Sequence, residues 1–498
     1  MTISTTESSQ QTDIPPSLLR TSGQIVLFIL EGIVLLLVIY AFWHNITQRQ
    51  LWFWMLWLAV PFFALRLRLS GYLWTHTRLH DLMIVFVLVA AFNYAHSPIS
   101  RESFMAAFAR PLSGMWLCVY LIEITRASRS LLPVLTLTLG MSATLAGIAL
   151  TASQWLEEKS SALWFIIERL PRFDYRVFSA QWQGEACYGW VELVHSSRCY
   201  NPADLLQYSF ISFNVNEIAG ALSLMTPFAI AMAVLLATRY TDSTDTEQHN
   251  ESIGNGWLIV SGVAGIIGIL LLLALLLGQS RFAIGGVIGS LLVVLWLGIR
   301  NMRWKIISVS VLGVLVLVQA GILFNVFTPS EPTSDSSEVG INERDSESLL
   351  NRFAIWESAG KMIADYPATG AGMYMFRTAV SNPSLPYEIP YYVENELFPP
   401  PHAHNAWINM GAEMGIPGLL VYIALQAVIV WMLWVGWRNG DAVIQVTALA
   451  TFAGLLGYAA YSIGDTVALW DRFQFTQWWL IGVAGAQYVL AKLHADTY

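Results

Sequence analysis

Charge is scarce in this chain, and cysteine scarcer still. Lys, Arg, Asp and Glu make up 12% of the 498 residues while hydrophobic residues take 55%, against about a quarter charged in a soluble domain. That excludes an ordinary soluble class, and a mean hydropathy of +0.54 points to an all-α polytopic membrane protein with membrane lipids around it. No basic patch rises above short loop clusters, which excludes nucleic acid as a partner. The net charge of -8 is not a partner signal, because most acidic residues lie in loops and tails. The opening MTISTTESSQQTDIPPS has no basic stretch before the first hydrophobic run and reads as a polar tail, not a cleaved signal. Also lacking are an Asp-x-Asp pair beside the candidate site to hold Mg²⁺ and any His/Cys/carboxylate set at zinc-ligand spacing, so neither a metal nor a cofactor is expected.

What the chain has in abundance is long apolar runs. A bilayer core of about 30 Å needs roughly 20 helical residues, and runs near that length fall at 24–43, 51–66, 81–96, 104–124, 131–151, 211–237, 257–277, 281–299, 304–327, 415–437, 442–465 and 474–492. About twelve membrane helices are therefore expected, with both termini on one side. Arg66, Arg68 and Arg78, Arg126 and Arg129, Arg300, Arg303 and Lys305, Arg438 and Lys492 all fall on a single face, which the positive-inside rule makes cytoplasmic. The acidic loop 239–256 lies on that face too, but acidic residues weigh little in the rule.

The predicted organisation is a disordered cytoplasmic tail (1–23), a five-helix region (24–151), a first outer loop (152–210), four more helices (211–327), a second outer loop carrying an amphipathic helix (328–404), and an interfacial helix with the last three spans (405–498). Two of the three cysteines, Cys187 and Cys199, share the first loop. An oxidising compartment favours a disulfide between them, and three unpaired thiols are the plainer alternative. Glu31, Arg110 and Glu123 lie inside spans, where pairing within the bundle or snorkelling explains such residues without invoking function.

The remaining polar residues collect at the outer boundary. Asn214, Asn216 and Glu217 open the sixth span, Gln279-Ser280-Arg281 form the turn before the eighth, and Asp465, Asp471 and Arg472 flank the last outer turn. The stretch PPPHAHNAWINMGAEMGIPGLL (399–420) adds His402 and His404. If it is helical from Asn405, then Asn405, Asn409 and Glu413 make one polar stripe on an apolar helix. In the second loop, Phe353, Trp356, Ala359, Met362 and Ile363 have helical spacing, and Pro367 discourages continuation. Arg352 is thus expected at the start of an amphipathic helix on the membrane surface. Arg281 has a plain reading as an interfacial arginine and a functional one as a phosphate ligand. The run Gly370-Ala371-Gly372 is more often a turn than a phosphate loop.

His404-Asn405, nine residues, Gly415, two residues, Gly418 is similar to the motif of the bacterial O-antigen ligase family, within the O-antigen ligase and polymerase superfamily. Phe213 to Gly220 with Pro227, Ser280-Arg281, Arg352 with Trp356, Asp365 and Pro367, and Gly370 to Gly372 agree in order; together they cover about the C-terminal 60% of the chain. The resemblance implies a glycosyltransferase C-like helical fold in the bacterial inner membrane with a periplasmic active site, while the two long periplasmic loops, the first outer loop and the extended second loop, are where the chain departs from a minimal ligase. It further implies metal-independent, inverting transfer of a glycan from undecaprenyl pyrophosphate to lipid A-core in the ligases, or to another lipid-linked repeat in the polymerases. By position His404 matches the essential histidine, and Arg281 and Arg352 match arginines assigned to the pyrophosphate.

The chemistry of the residues runs parallel to the resemblance. Cleaving a glycosyl-phosphate bond develops negative charge on the leaving pyrophosphate, which two guanidinium groups stabilise in place of a metal. Imidazole, with a reference pKa of about 6.5, suits general-base work on an acceptor hydroxyl. His402 is the competing histidine, and on a helix the two would face different sides. Asn405, Glu413, Asn216 and Glu217 are expected as supporting residues, and Trp356, Tyr391 and Tyr392 as stacking surfaces for sugar rings, although interfacial aromatics are common. A polymerase, and from another class a lipid-glycan transporter, are the alternatives. A transporter would place its polar site near mid-bilayer in related repeats, and no internal repeat is evident.

Overall fold

In the computed structural model the described residues are 18–43, 57–98, 104–154, 180–182, 185–187, 213–245, 255–327, 341–394, 399–466 and 473–495. Each of the twelve hydrophobic runs lies at least partly on a helix: α1 Leu18–Trp43, α2 Ala59–Ser70, α3 Arg78–His96, α4 Phe104–Ser128, α5 Leu132–Ala152, α6 Val215–Asp245, α7 Asn255–Gly278, α8 Arg281–Gly298 and α9 Met302–Phe327. The second loop contributes α10 Ile341–Asp365, α11 Phe376–Val380 and α12 Pro390–Glu394, and the chain closes with α13 Ala406–Asn439, α14 Ala442–Tyr461 and α15 Gln474–Ala495. Among the described residues seven helices, α3, α5, α6, α7, α8, α13 and α14, are long and apolar enough to cross a membrane. The protein is a multi-pass, essentially all-helical membrane protein. Short strand pairs are the exception, one of them joining Ser153–Gln154 in parallel to Phe213–Asn214.

The central bundle forms where small residues let helices approach. α6 packs on α7 and α14, α8 on α14, and α15 on α4. Gly454 and Gly457 of α14 press on the Leu224 and Ser223 carbonyls of α6, the small-residue packing that substitutes for a hydrophobic drive inside lipid. α3 lies along α13, with Arg78 over the Trp431 ring at 4.8 Å near one end and Asn93 bonded to the Glu413 carbonyl at 2.9 Å near the other. The two helices are therefore antiparallel.

Two expectations change. Arg66, counted among the loop charges, is buried inside α2, where it donates to Glu31 while Trp116 Nε1 donates to the other Glu31 oxygen at 2.7 Å. It is a packed ion pair, so it gives no vote on topology. Arg352 does not start its helix, because α10 begins at Ile341, through a polar stretch without apolar periodicity; its end at Asp365 agrees with the effect of Pro367. The buried face of α10 is Ile355, Ala359 and Met362, whereas Phe353 is 62% exposed. With α11, Tyr387, Ile389 and Ala412 that face forms a second apolar cluster, so the second loop is a folded cap seated on α13. Cys199, the expected partner of Cys187, and Asp471 and Arg472 lie outside the described residues, as do the side chains of Cys187, Asn216 and Glu217.

Candidate active site

The cap meets α13 at its kink. Gly415 has φ 68° and ψ -174°, breaking the helix inside Ala406–Asn439, and Pro417 has no N–H to give the Glu413 carbonyl. Ile416 N donates to Pro367 O (2.8 Å), while Ala371 N and Gly372 N donate to the freed carbonyls of Ala412 (2.8 Å) and Glu413 (3.0 Å). A side chain on Gly415 would strike the backbone of Pro367 to Gly370, and one on Gly370 would strike the backbone of Glu413 to Gly415. The Gly370-Ala371-Gly372 run is thus a splice that satisfies the kink. Asn93 completes it, donating to the Thr369 and Glu413 carbonyls and accepting from Met373 N at 3.2 Å.

The polar stripe of α13 is consumed in the same construction. Asn405 is the N-cap, its side chain accepting from Trp407 N and Ile408 N, each at 3.0 Å, and donating to Ile463 O at 3.0 Å. Asn409 accepts from Ala403 N (2.9 Å) and donates to Glu413 (3.1 Å), and Glu413, fully buried, accepts from Phe376 N at 2.9 Å. These three residues hold the segment that carries the histidines.

That segment is not helical. His404 has φ 48°, a conformation uncommon outside glycine, and its ring meets that of His402 edge-on at 4.8 Å. The expectation that the two histidines face apart on a helix is corrected, because the helix starts only after the Asn405 cap. His404 Nδ1 lies 2.9 Å from Asp465 Oδ1, with the two side chains 25% and 11% exposed. Asp465 also accepts from Thr466 N at 2.8 Å. Burial pushes the Asp465 carboxyl up, but the His404 bond and the neighbouring imidazoles and Thr466 N–H outweigh it and hold it below its ordinary value. An ionised Asp465 fixes the proton on His404 Nδ1 and leaves Nε2 as the basic nitrogen. His402 is driven down to about 3, by burial first and then by His404, so it is neutral.

One ring, Phe282, lies between Arg352 and the residue that precedes Asp465. Arg352 places its guanidinium 4.9 Å from the Phe282 centroid, and Phe282 lies against Gly464, so closely that any side chain on that glycine would collide with it. Gly464 precedes Asp465, and exposed Arg281 precedes Phe282. Among the described residues Arg352 makes no hydrogen bond or ion pair, so its donors are unused. Tyr392 is also within its field and stacks edge-on with Tyr391 at 5.5 Å. Among the described residues Gln279 Nε2, Trp356 Nε1 and Thr466 Oγ1 are buried without a hydrogen-bond partner, and each belongs to a residue near Arg281, Arg352 or Asp465 in sequence.

Residues 266–423 match the family model described as O-antigen ligase. Over these residues the chain is similar to the O-antigen ligase family. The match spans about a third of the chain and supports a relation to the O-antigen ligase/polymerase superfamily, whose members in general act on lipid-linked glycans and their acceptors. No curated protein sequence matches the chain significantly. The O-antigen ligase stretch contains Arg281, Arg352 and His404 but neither Asp465 nor Asn93. Both of those were missed as site residues. Asp465 was visible as an acid at an outer turn, but its partner lies 61 positions away; Asn93 had only its polarity within an apolar run to mark it.

Proposed function

We propose that the protein is an inverting, metal-independent glycosyltransferase that takes a glycan from undecaprenyl pyrophosphate on the periplasmic face of the inner membrane and ligates it to lipid A-core. The observation that carries this reading is the His404–Asp465 pair at 2.9 Å, linked through Phe282 to an arginine with unused donors. His404 Nε2 accepts the proton of the acceptor hydroxyl as that oxygen attacks the anomeric carbon. The glycosyl-phosphate bond breaks on the opposite face, and the electrons pass to the pyrophosphate. Arg352 and Arg281 meet the charge that develops there, which is worth most where water is thin. Trp356, Gln279 and Thr466 carry polar atoms orphaned at a cost of about 1–3 kcal/mol each, a cost that a polar substrate removes.

A lipid-borne donor also suits the architecture. The site lies at one end of the bundle, past the last turn of α14 and before the first turn of α13, so a polyprenyl tail stays in the membrane while its head group reaches the cap. A twelve-span topology with both termini in the cytoplasm places this end outside. Purified protein incubated with a lipid-pyrophosphate-linked glycan and each acceptor tests the assignment. Product on lipid A-core is expected. A longer lipid-linked chain instead identifies a polymerase, and lipid movement across a vesicle without covalent product removes the enzyme assignment.

A further inference from the structure

The fold assembles a ligand set that the sequence spacing conceals. His402, His404 and Asp465 each bring one ligand atom, and these atoms lie within 4.8 Å of one another. Two come from the segment before α13 and one from the turn after α14, which Asn405 ties together by its bond to Ile463 O and which Ala406 N secures through Ser462 O at 3.0 Å. In a tetrahedral zinc site with bonds of about 2.0–2.2 Å the ligand atoms stand roughly 3.3–3.5 Å apart. Modest side-chain rotations close the set: the 2.9 Å His404–Asp465 contact opens slightly and the widest separation contracts. The partial exposure of His404 gives a metal access and leaves a fourth position for water.

We propose that these three residues bind a borderline divalent transition-metal ion, represented by Zn²⁺, and that its binding switches transfer off. The inhibitory half rests on the general-base role of His404. Two imidazole nitrogens and one carboxylate oxygen suit Zn²⁺ and disfavour Mg²⁺ and Ca²⁺, which take oxygen ligands. Inhibition follows from the tautomer. A neutral imidazole carries one proton: a metal on Nδ1 keeps that proton on Nε2, and a metal on Nε2 occupies the basic lone pair itself. Either way His404 has no site for the proton of the acceptor hydroxyl. Asp465 is diverted at the same time from orienting the ring to ligating the ion.

The test uses the full-length protein purified in detergent and freed of metal with a chelator. Titration with ZnCl₂ by calorimetry is expected to show a site that weakens at least tenfold in His402→Gln, His404→Gln and Asp465→Asn, with no heat from MgCl₂. Those comparisons separate it from sites made by the other histidines, and thermal melts of each variant exclude misfolding as the cause. X-ray absorption at the zinc edge is expected to show nitrogen and oxygen at about 2.0–2.2 Å. In the transfer assay Zn²⁺ is expected to inhibit the wild type, a chelator to restore it, and His402→Gln to keep measurable transfer while losing at least tenfold in zinc sensitivity. Equal zinc affinity in wild type and all three variants overturns the site. Binding without inhibition, or activation by zinc, overturns the switch. Full transfer by His404→Gln overturns the general-base reading instead, and the calorimetry, which needs no turnover, still judges the metal site.

Discussion

Among the described residues, the Glu31–Arg66 and His404–Asp465 clusters differ in what their charges are left to do. Glu31 and Arg66, 0% and 1% exposed, face each other in the N-terminal bundle. Trp116 holds the second carboxylate oxygen, and the Phe28 and Phe63 rings flank the guanidinium at 5.9 and 5.5 Å; Arg66 Nε alone lacks a partner. That cluster is closed. At the cap, His404 and Asp465 are partly exposed, Arg352 has donors to spare, and three neighbouring polar atoms are orphaned. Buried charge satisfied by the protein serves the fold, whereas charge held in place but left unsatisfied is available to a substrate.

Substitutions can break or sharpen that contrast. The largest effect on transfer is expected from His404→Ala, a loss of about 10²- to 10⁴-fold in initial rate at saturating donor and acceptor, with the melting temperature little changed. Asp465→Asn follows with a smaller loss in kcat, because it removes the group that orients the base and not the base itself. Arg352→Ala is expected to lower kcat/KM for the lipid-linked donor roughly 10- to 100-fold, the equivalent of one or two charge-assisted hydrogen bonds. Lys at position 352 restores that only in part, since an ammonium lacks the planar fork.

The closed cluster is expected to behave in the opposite way. Glu31→Leu or Arg66→Leu alone leaves an uncompensated buried charge and costs about 3–5 kcal/mol of stability, read by detergent-solubilised thermal unfolding. The double substitution recovers most of that, and whatever folded protein remains in each case keeps its donor KM. A selective rise in donor KM in these variants would erase the distinction between the two clusters.

Much of the fold was legible because a bilayer imposes long apolar runs, and each such run carries a helix. The end of α10 was legible too, because Pro367 restricts the residues before it. Its start was not, because residues 341–350 have no apolar period to mark a helix. The spacing from His404 to Gly415 and Gly418 singled out the segment where α13 is kinked. Its physical meaning lay in the contact of Gly415 with Gly370, some 45 residues upstream, which no local pattern shows. The stripe Asn405, Asn409, Glu413 looked like a reactive face and turned out to brace the backbone: Asn405 caps its own helix and holds Ile463 O, Asn409 holds Ala403 N, and Glu413 holds Phe376 N of the cap. Asp465, the hydrogen-bond partner of His404 Nδ1, was hidden by distance along the chain.

A structure of the protein with a polyprenyl-pyrophosphate-linked glycan bound is the most direct test of a single transfer site at the cap. The expected result is a pyrophosphate within hydrogen-bond reach of Arg352, with Arg281 beside it, and the anomeric carbon facing His404 Nε2. A donor head group seated elsewhere in the bundle, with His404 and Arg352 both untouched, would contradict it.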